Sequence, residues 1–169
     1  MKRVLLIGCS GSGKSTLSRH LGEQLQLPVV HLDRLYWLPG WKPVDNETFD
    51  RLLDAELAKD AWIIDGNFNR TLKHRLDACD TVIYLDYPRW LCLLSVCKRV
   101  LTHTQRSDMT SGCPERFDLA FMRWIWGFRR KYGAEYDRLL ADASNRGIQV
   151  LRFRNRRQAR RWIEGRHGE

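Results

Sequence analysis

The stretch VLLIGCSGSGKSTL, residues 4–17, decides the fold. Four apolar residues suited to a buried strand run into small ones, which end on a lysine and two hydroxyls. Gly8-Cys9-Ser10-Gly11-Ser12-Gly13-Lys14-Ser15 matches GxxxxGK[ST] and sits where that pattern has a mechanism, after a strand and before a helix. The glycines let the backbone curl until its N–H groups converge on phosphate oxygens, and the helix opening near Lys14 adds its positive end. Gly8, Ser10, Gly11, Ser12, Gly13, Lys14, Ser15 and Thr16 are the expected nucleotide contacts. Lys14 would reach the β- and γ-phosphates and the Ser15 hydroxyl would hold Mg²⁺, so ATP and Mg²⁺ are the expected cofactors. By average residue frequencies, a chance match arises about once in two hundred chains of this length.

Outward from this loop, short runs rich in Val, Ile and Leu alternate with longer segments of helical period, as in a parallel sheet covered by helices. Strands are expected over 3–7, 29–32, 62–64, 81–85 and 148–153, all nearly continuous apolar runs suited to burial on both faces. Helices are expected over 14–26, 47–59, 69–76, 88–101 and 117–138. In the last, Phe117, Phe121, Trp124, Ile125, Phe128 and Tyr132 recur at steps that place one stripe on the core. The polar interval 103–115 reads as the clearest loop. With 169 residues and 43% hydrophobic content, a single domain over 1–169 is expected. No apolar run reaches the ~18 residues of a membrane span, so a soluble cytoplasmic protein without a membrane partner is expected. Five scattered cysteines suit reduced thiols and make no zinc half-site. The net charge of +9 points to polyanions, which nucleotide phosphates and nucleic acid satisfy equally.

Two carboxylates follow apolar strands, where ligands gather in open α/β sheets. Asp65, in Trp62-Ile63-Ile64-Asp65-Gly66-Asn67, either orients the water shell of Mg²⁺ or caps a turn. Asp33, after Val29-Val30-His31-Leu32, either receives or positions an acceptor hydroxyl or serves as a helix cap. Tyr36, Trp37 and Trp41 either wall a ring-shaped acceptor or pack beneath a loop.

Together the loop at 8–15, the strand-end Asp33, the Asp65-Gly66-Asn67 turn with Arg70 nearby, and a polar loop late between two helices resemble the small P-loop nucleotide and metabolite kinases, adenylate kinase and shikimate kinase among them. More narrowly, HLDRLYWLPGW, IIDGNFNRT and FMRWIWGFRRKY are similar to the bacterial DNA-topology-modulation (FlaR-like) proteins, an adenylate-kinase-related group. The resemblance implies a three-layer α/β fold: a five-stranded parallel sheet in the order 2-3-1-4-5, helices on both faces, a lid near 102–117 and an acceptor-side segment near 33–60. It implies transfer of the γ-phosphate of Mg-ATP to a small acceptor held by Asp33, Asp65, Gly66, Asn67 and Arg70. Lys14, Asp33, Arg99 and Arg106 would be catalytic, with Arg116 and Arg123 less firmly placed, and Arg154 would lie against the nucleotide. The adenylate-kinase turn has a proline and an arginine one place earlier than Arg70, so AMP is not implied as the acceptor. The alternative is a nucleotide-binding regulator that meets DNA through its basic surface. No helix-turn-helix pattern supports groove reading, so weak non-specific nucleic-acid binding is expected.

Overall fold

The computed structural model describes residues 1–102, 108–114 and 117–168. Strand β1 (Arg3–Gly8) lies at the centre of a five-stranded parallel sheet. It is flanked by β5 (Trp62–Asp65) and β6 (Thr81–Leu85), and then by the outer strands β2 (Val29–His31) and β7 (Gln149–Phe153). Counting only the strands of this sheet, the order is 2-3-1-4-5. Val4, Leu5, Leu6 and Ile7 are fully buried, as are Ile63, Ile64, Val82 and Ile83 beside them. Such continuous apolar runs are stable only where helices cover both faces of the sheet.

Register carries the fold to the site. Asp65 pairs with Leu6 of β1 on one side and His31 of β2 on the other, so β2 and β5 end level while β1 runs two residues further, to Gly8, into the glycine-rich loop. Helix α1 (Lys14–Leu25) leaves that loop directly, burying Leu17, Ser18 and Leu21. Helices α3 (Asn46–Leu57) and α5 (Arg89–Leu101) match the expected segments to within a residue or two at each end.

Other elements depart from the sequence reading. The segment expected as a helix over 69–76 is a 3₁₀ turn, Asn69–Thr71, continued by α4 (Leu72–Ala78). Asp33 lies inside a short helix, α2 (Leu32–Tyr36), rather than at a bare strand end. A small antiparallel hairpin, β3 (Trp37–Leu38) with β4 (Lys42–Pro43), follows it and was not anticipated. Helix α6 runs Leu119–Asn145, beyond the expected end at 138. Tyr136, Leu140 and Ala143 extend its buried stripe, and no glycine intervenes before Gly147 with its left-handed φ of 86°. At its start, Asp118 accepts hydrogen bonds from the N–H groups of Ala120 and Phe121, which leaves Phe117 outside the helix and 63% exposed. Helix α7 (Arg156–Glu164) follows β7. No helix among the described residues is long and apolar enough to cross a membrane.

Candidate active site

A cavity of about 760 Å³ opens above the carboxyl ends of β1 and β5. Ser10, Gly11, Gly13, Lys14, Ser15 and Thr16 form one wall. Gly11 has φ 80°, and a Cβ there would stand 2.3 Å from the carbonyl oxygen of Cys92 on α5. The loop can therefore lie against α5 only with glycine at this position. Gly8 and Ser12 sit beneath the wall: the Gly8 N–H donates to Asn67 Oδ1 at 3.2 Å, and Ser12 is buried. The Lys14 ammonium donates to the carbonyls of Gly8 and Cys9 at 2.9 and 3.1 Å, so its charge is held against the loop. Cys9, within the same loop, is buried. Its hydrogen bond with Cys92, reinforced by burial, pushes its thiol far above the usual range.

The Ser15 hydroxyl donates to Asp108 Oδ2 at 2.7 Å. Asp108, within the polar interval read as a loop, is half-buried on the cavity wall. Asp65 is 4% exposed; its Oδ2 accepts from Ser18 Oγ at 2.7 Å and lies 2.9 Å from His31 Nδ1. No group of three acidic, histidine or cysteine ligands is present among the described residues. Oxygen donors at Ser15, Asp108 and Asp65 still fit a hard cation that keeps most of its shell as water and phosphate, as Mg²⁺ does.

The turn after β5 is built by a residue that the sequence reading passed over. Arg75 on α4 is fully buried and donates to the carbonyls of Gly66, Asn67 and Phe68 at 2.9, 2.8 and 2.8 Å. Burial lowers its pKa to about 10, so it remains charged at neutral pH. Tyr136 of α6 fixes the same turn by donating to Asn69 Oδ1. Asp65, Gly66 and Asn67 line the cavity as a result. Arg70 does not: it is exposed and forms a two-armed pair with Asp50 of α3 at 2.6 and 2.8 Å.

Asp33, Trp37 and Trp41 line the cavity beside this turn. Tyr36 instead packs edge-on against Phe49, with centroids 5.4 Å apart, while Trp37 lines the cavity and also packs edge-on against Tyr36 and Trp41 at 4.9 and 5.5 Å. Trp41 adopts φ 61°, a left-handed backbone uncommon for a bulky side chain, and its indole N–H donates to the Pro114 carbonyl at 3.1 Å. Gly40 N–H donates to the Gly112 carbonyl at 2.9 Å and the Cys113 thiol donates to the Leu38 carbonyl at 3.3 Å, so the hairpin and the 108–114 segment are joined by three hydrogen bonds.

Helix α6 turns Phe121, Trp124 and Tyr132 to the cavity. Arg123 points elsewhere, into a separate groove of about 470 Å³ shared with Arg89, Trp126 and Arg130. Arg99 lines the main cavity, whereas Arg106 and Arg116 lie outside the described residues. Where α5 and α7 meet the cavity the wall residue is Arg156, hydrogen-bonded to Ser95; Arg154 is exposed and off the wall, with its N–H donating to Gln158 Oε1 at 2.8 Å. Arg75 was the most findable of the missed residues, because it shares the 72, 75, 76 stripe of α4 with Leu72 and Leu76.

No protein-family model matches this chain, and no curated protein is similar to it at a significant level. Solved structures are similar in fold. A shikimate kinase from Bacteroides thetaiotaomicron superposes with a TM-score of 0.58 at 16% identity, covering 97% of this chain and 95% of its own. A shikimate kinase from Acinetobacter baumannii, solved in complex with shikimate, gives 0.57 at 18% identity, covering 98% of this chain and 90% of its own. The five-stranded P-loop fold implied by the sequence is thus the fold of this chain.

Proposed function

We propose that this chain is a P-loop phosphotransferase that moves the γ-phosphoryl group of Mg-ATP to a hydroxyl of a small acceptor. One observation carries this reading: a single cavity runs from Lys14 and Ser15 to Asp33 and the 65–67 turn. A switch needs only the first of these ends. Bound Mg-ATP would supply the transferable group and a cation to offset its charge. The chain itself supplies positioning and proton management. Lys14 and the loop N–H groups hold the phosphates, and Ser15 with Asp108 and Asp65 supports the cation's shell. Asp33 accepts the proton of the acceptor hydroxyl, and Arg99 neutralises charge on the moving group. Shikimate kinases of the same fold act on a hydroxylated ring, as their name states, which supports a small-molecule acceptor here. Nothing in the structure favours the DNA-regulator alternative.

The test combines binding with transfer. Mg-ATP at a hundredfold excess over Kd should stabilise the protein by about 2.7 kcal/mol. Lys14→Ala should abolish this rise in Tm. Asp33→Asn should keep it while losing acceptor-dependent ADP release. Equal stabilisation of wild type and Lys14→Ala would overturn the nucleotide site, and unchanged ADP release in Asp33→Asn would make Asp33 structural.

A further inference from the structure

Helix α6 has two lining faces. Phe121, Trp124 and Tyr132 look into the main cavity, whereas Leu119, Met122 and Trp126, spaced by three and four residues on the opposite side, line the separate groove of about 470 Å³ together with Leu93 of α5. The charged groups of this groove among the described residues are Arg89, Arg123 and Arg130. Arg89 opens α5, so the positive end of that helix adds to its charge instead of offsetting it. The segments 103–107 and 115–116, which adjoin the two helices in the chain, hold two arginines and one glutamate by sequence and so cannot reverse the sign.

The apolar part of the groove is open. Leu119 is 63% exposed and Trp126 49%, and on α5 Trp90 and Leu94, each one residue past a groove residue, are exposed as well. Large apolar side chains gathered at one concave site mark an interaction surface. Gly127, in the interior of α6, lies on the groove between these residues. A Cβ there would meet nothing within 4 Å among the described residues, and glycine weakens a helix interior relative to almost any other residue. The packing of α6 therefore does not explain this glycine, whereas a close approach by another backbone does.

We infer that the groove between α5 and α6 docks an acidic amphipathic helix of a partner protein. The apolar residues of that helix seat on Leu93, Leu119, Met122 and Trp126 and its carboxylates meet the three arginines, the mode in which a helix lays its apolar face into a cleft. Charge complementarity chooses the sign and the apolar lining chooses the class. Leu93, Leu119 and Met122 offer no ring for a nucleic-acid base to stack on, and the Trp126 ring already lies under the Arg89 guanidinium, 3.9 Å from its centroid. A second copy would bring the same arginines against themselves across a two-fold interface. A bilayer surface cannot follow a cleft between two helices. None of these residues lines the main cavity, so the inference does not depend on the phosphotransferase reading.

The experiment reads binding by fluorescence anisotropy of labelled peptides of about 15 residues, long enough to hold a helix. The first has leucines at helical spacing and glutamates elsewhere; the second has lysine for every glutamate; the third is a scramble of the first without the period. The first should bind at least about tenfold tighter than either of the others, and less tightly as salt rises. Arg89→Glu with Arg130→Glu should weaken it about tenfold or more. Glutamate suits the start of a helix, so that loss is not one of folding. Gly127→Gln fills the floor of the groove with a better helix former, so Tm should rise while binding falls about tenfold. Equal binding of the three peptides, no binding of the first, or unchanged binding in either variant would overturn the inference. Tighter binding through the same arginines of a single-stranded oligonucleotide, or of vesicles of equal phosphatidylserine and phosphatidylcholine, would overturn it too, as would self-association in sedimentation that Gly127→Gln abolishes.

Discussion

Lys14 and Arg75 mark the two extremes of what single residues disclose. Lys14 was legible because its motif is contiguous, and eight neighbouring residues define the curl of backbone that phosphate needs. Arg75 was not, because its partners are carbonyls of residues 66, 67 and 68, brought to it only when α4 folds back on the turn. The guanidinium fork spans three acceptors, which a lysine's point charge cannot match. Arg75→Lys should therefore lower stability by about 2 kcal/mol, and chemical denaturation will measure it. Because the turn carries Asp65 and Asn67, the same variant should lose more turnover than ATP affinity. A stable variant with normal kcat would show that the turn holds without Arg75.

At the scale of elements, apolar runs disclosed every strand of the main sheet, but segments governed by distant contacts were misread. The β3–β4 hairpin is only two residues per strand and leans on residues 110–114, so no local period announces it. Helix α6 was cut short because its stripe thins to Tyr136, Leu140 and Ala143, residues whose burial depends on the sheet beneath. Asp80, just before β6, shows a contact across elements with a measurable consequence. Its Oδ2 accepts from the N–H groups of Lys2 and Arg3 at 2.7 and 2.8 Å, which fixes the start of the central strand. Partial burial raises its pKa, but the bonds from Arg3, Thr81 and Lys2 outweigh this and leave it below the usual value of 3.8. The folded protein thus binds this proton less readily than the unfolded chain. The stabilisation is complete above the ordinary carboxylate pKa and disappears as pH falls through the depressed one. Asp80→Asn should flatten the acid limb of stability against pH and cost about 1–2 kcal/mol at neutral pH. An unchanged acid limb would assign that limb to other carboxylates.

For the whole molecule, the alternation of strand and helix was enough to give a parallel sheet covered by helices, and the sheet order came from the resemblance to the small P-loop kinases. Which arginines face the cavity was not legible, since orientations such as those of Arg123 and Arg70 depend on helix rotation and on partners far along the chain. The net charge of +9 is a whole-molecule property that nucleotide phosphates and nucleic acid satisfy equally. Duplex binding should be weak, fall steeply with salt and be the same for any sequence, whereas a DNA regulator typically prefers its site ~10³-fold or more. Fluorescence anisotropy with random and candidate duplexes across a salt series measures this. Phosphoryl transfer itself is followed by ³¹P NMR, with Mg-ATP and a panel of small hydroxylated compounds incubated with wild type and with Asp33→Asn. A phosphoester resonance that grows in step with ADP, and only with wild type, is the expected result. ATP that binds but yields only inorganic phosphate, whatever hydroxyl compound is present, would contradict the assignment of this cavity to phosphoryl transfer.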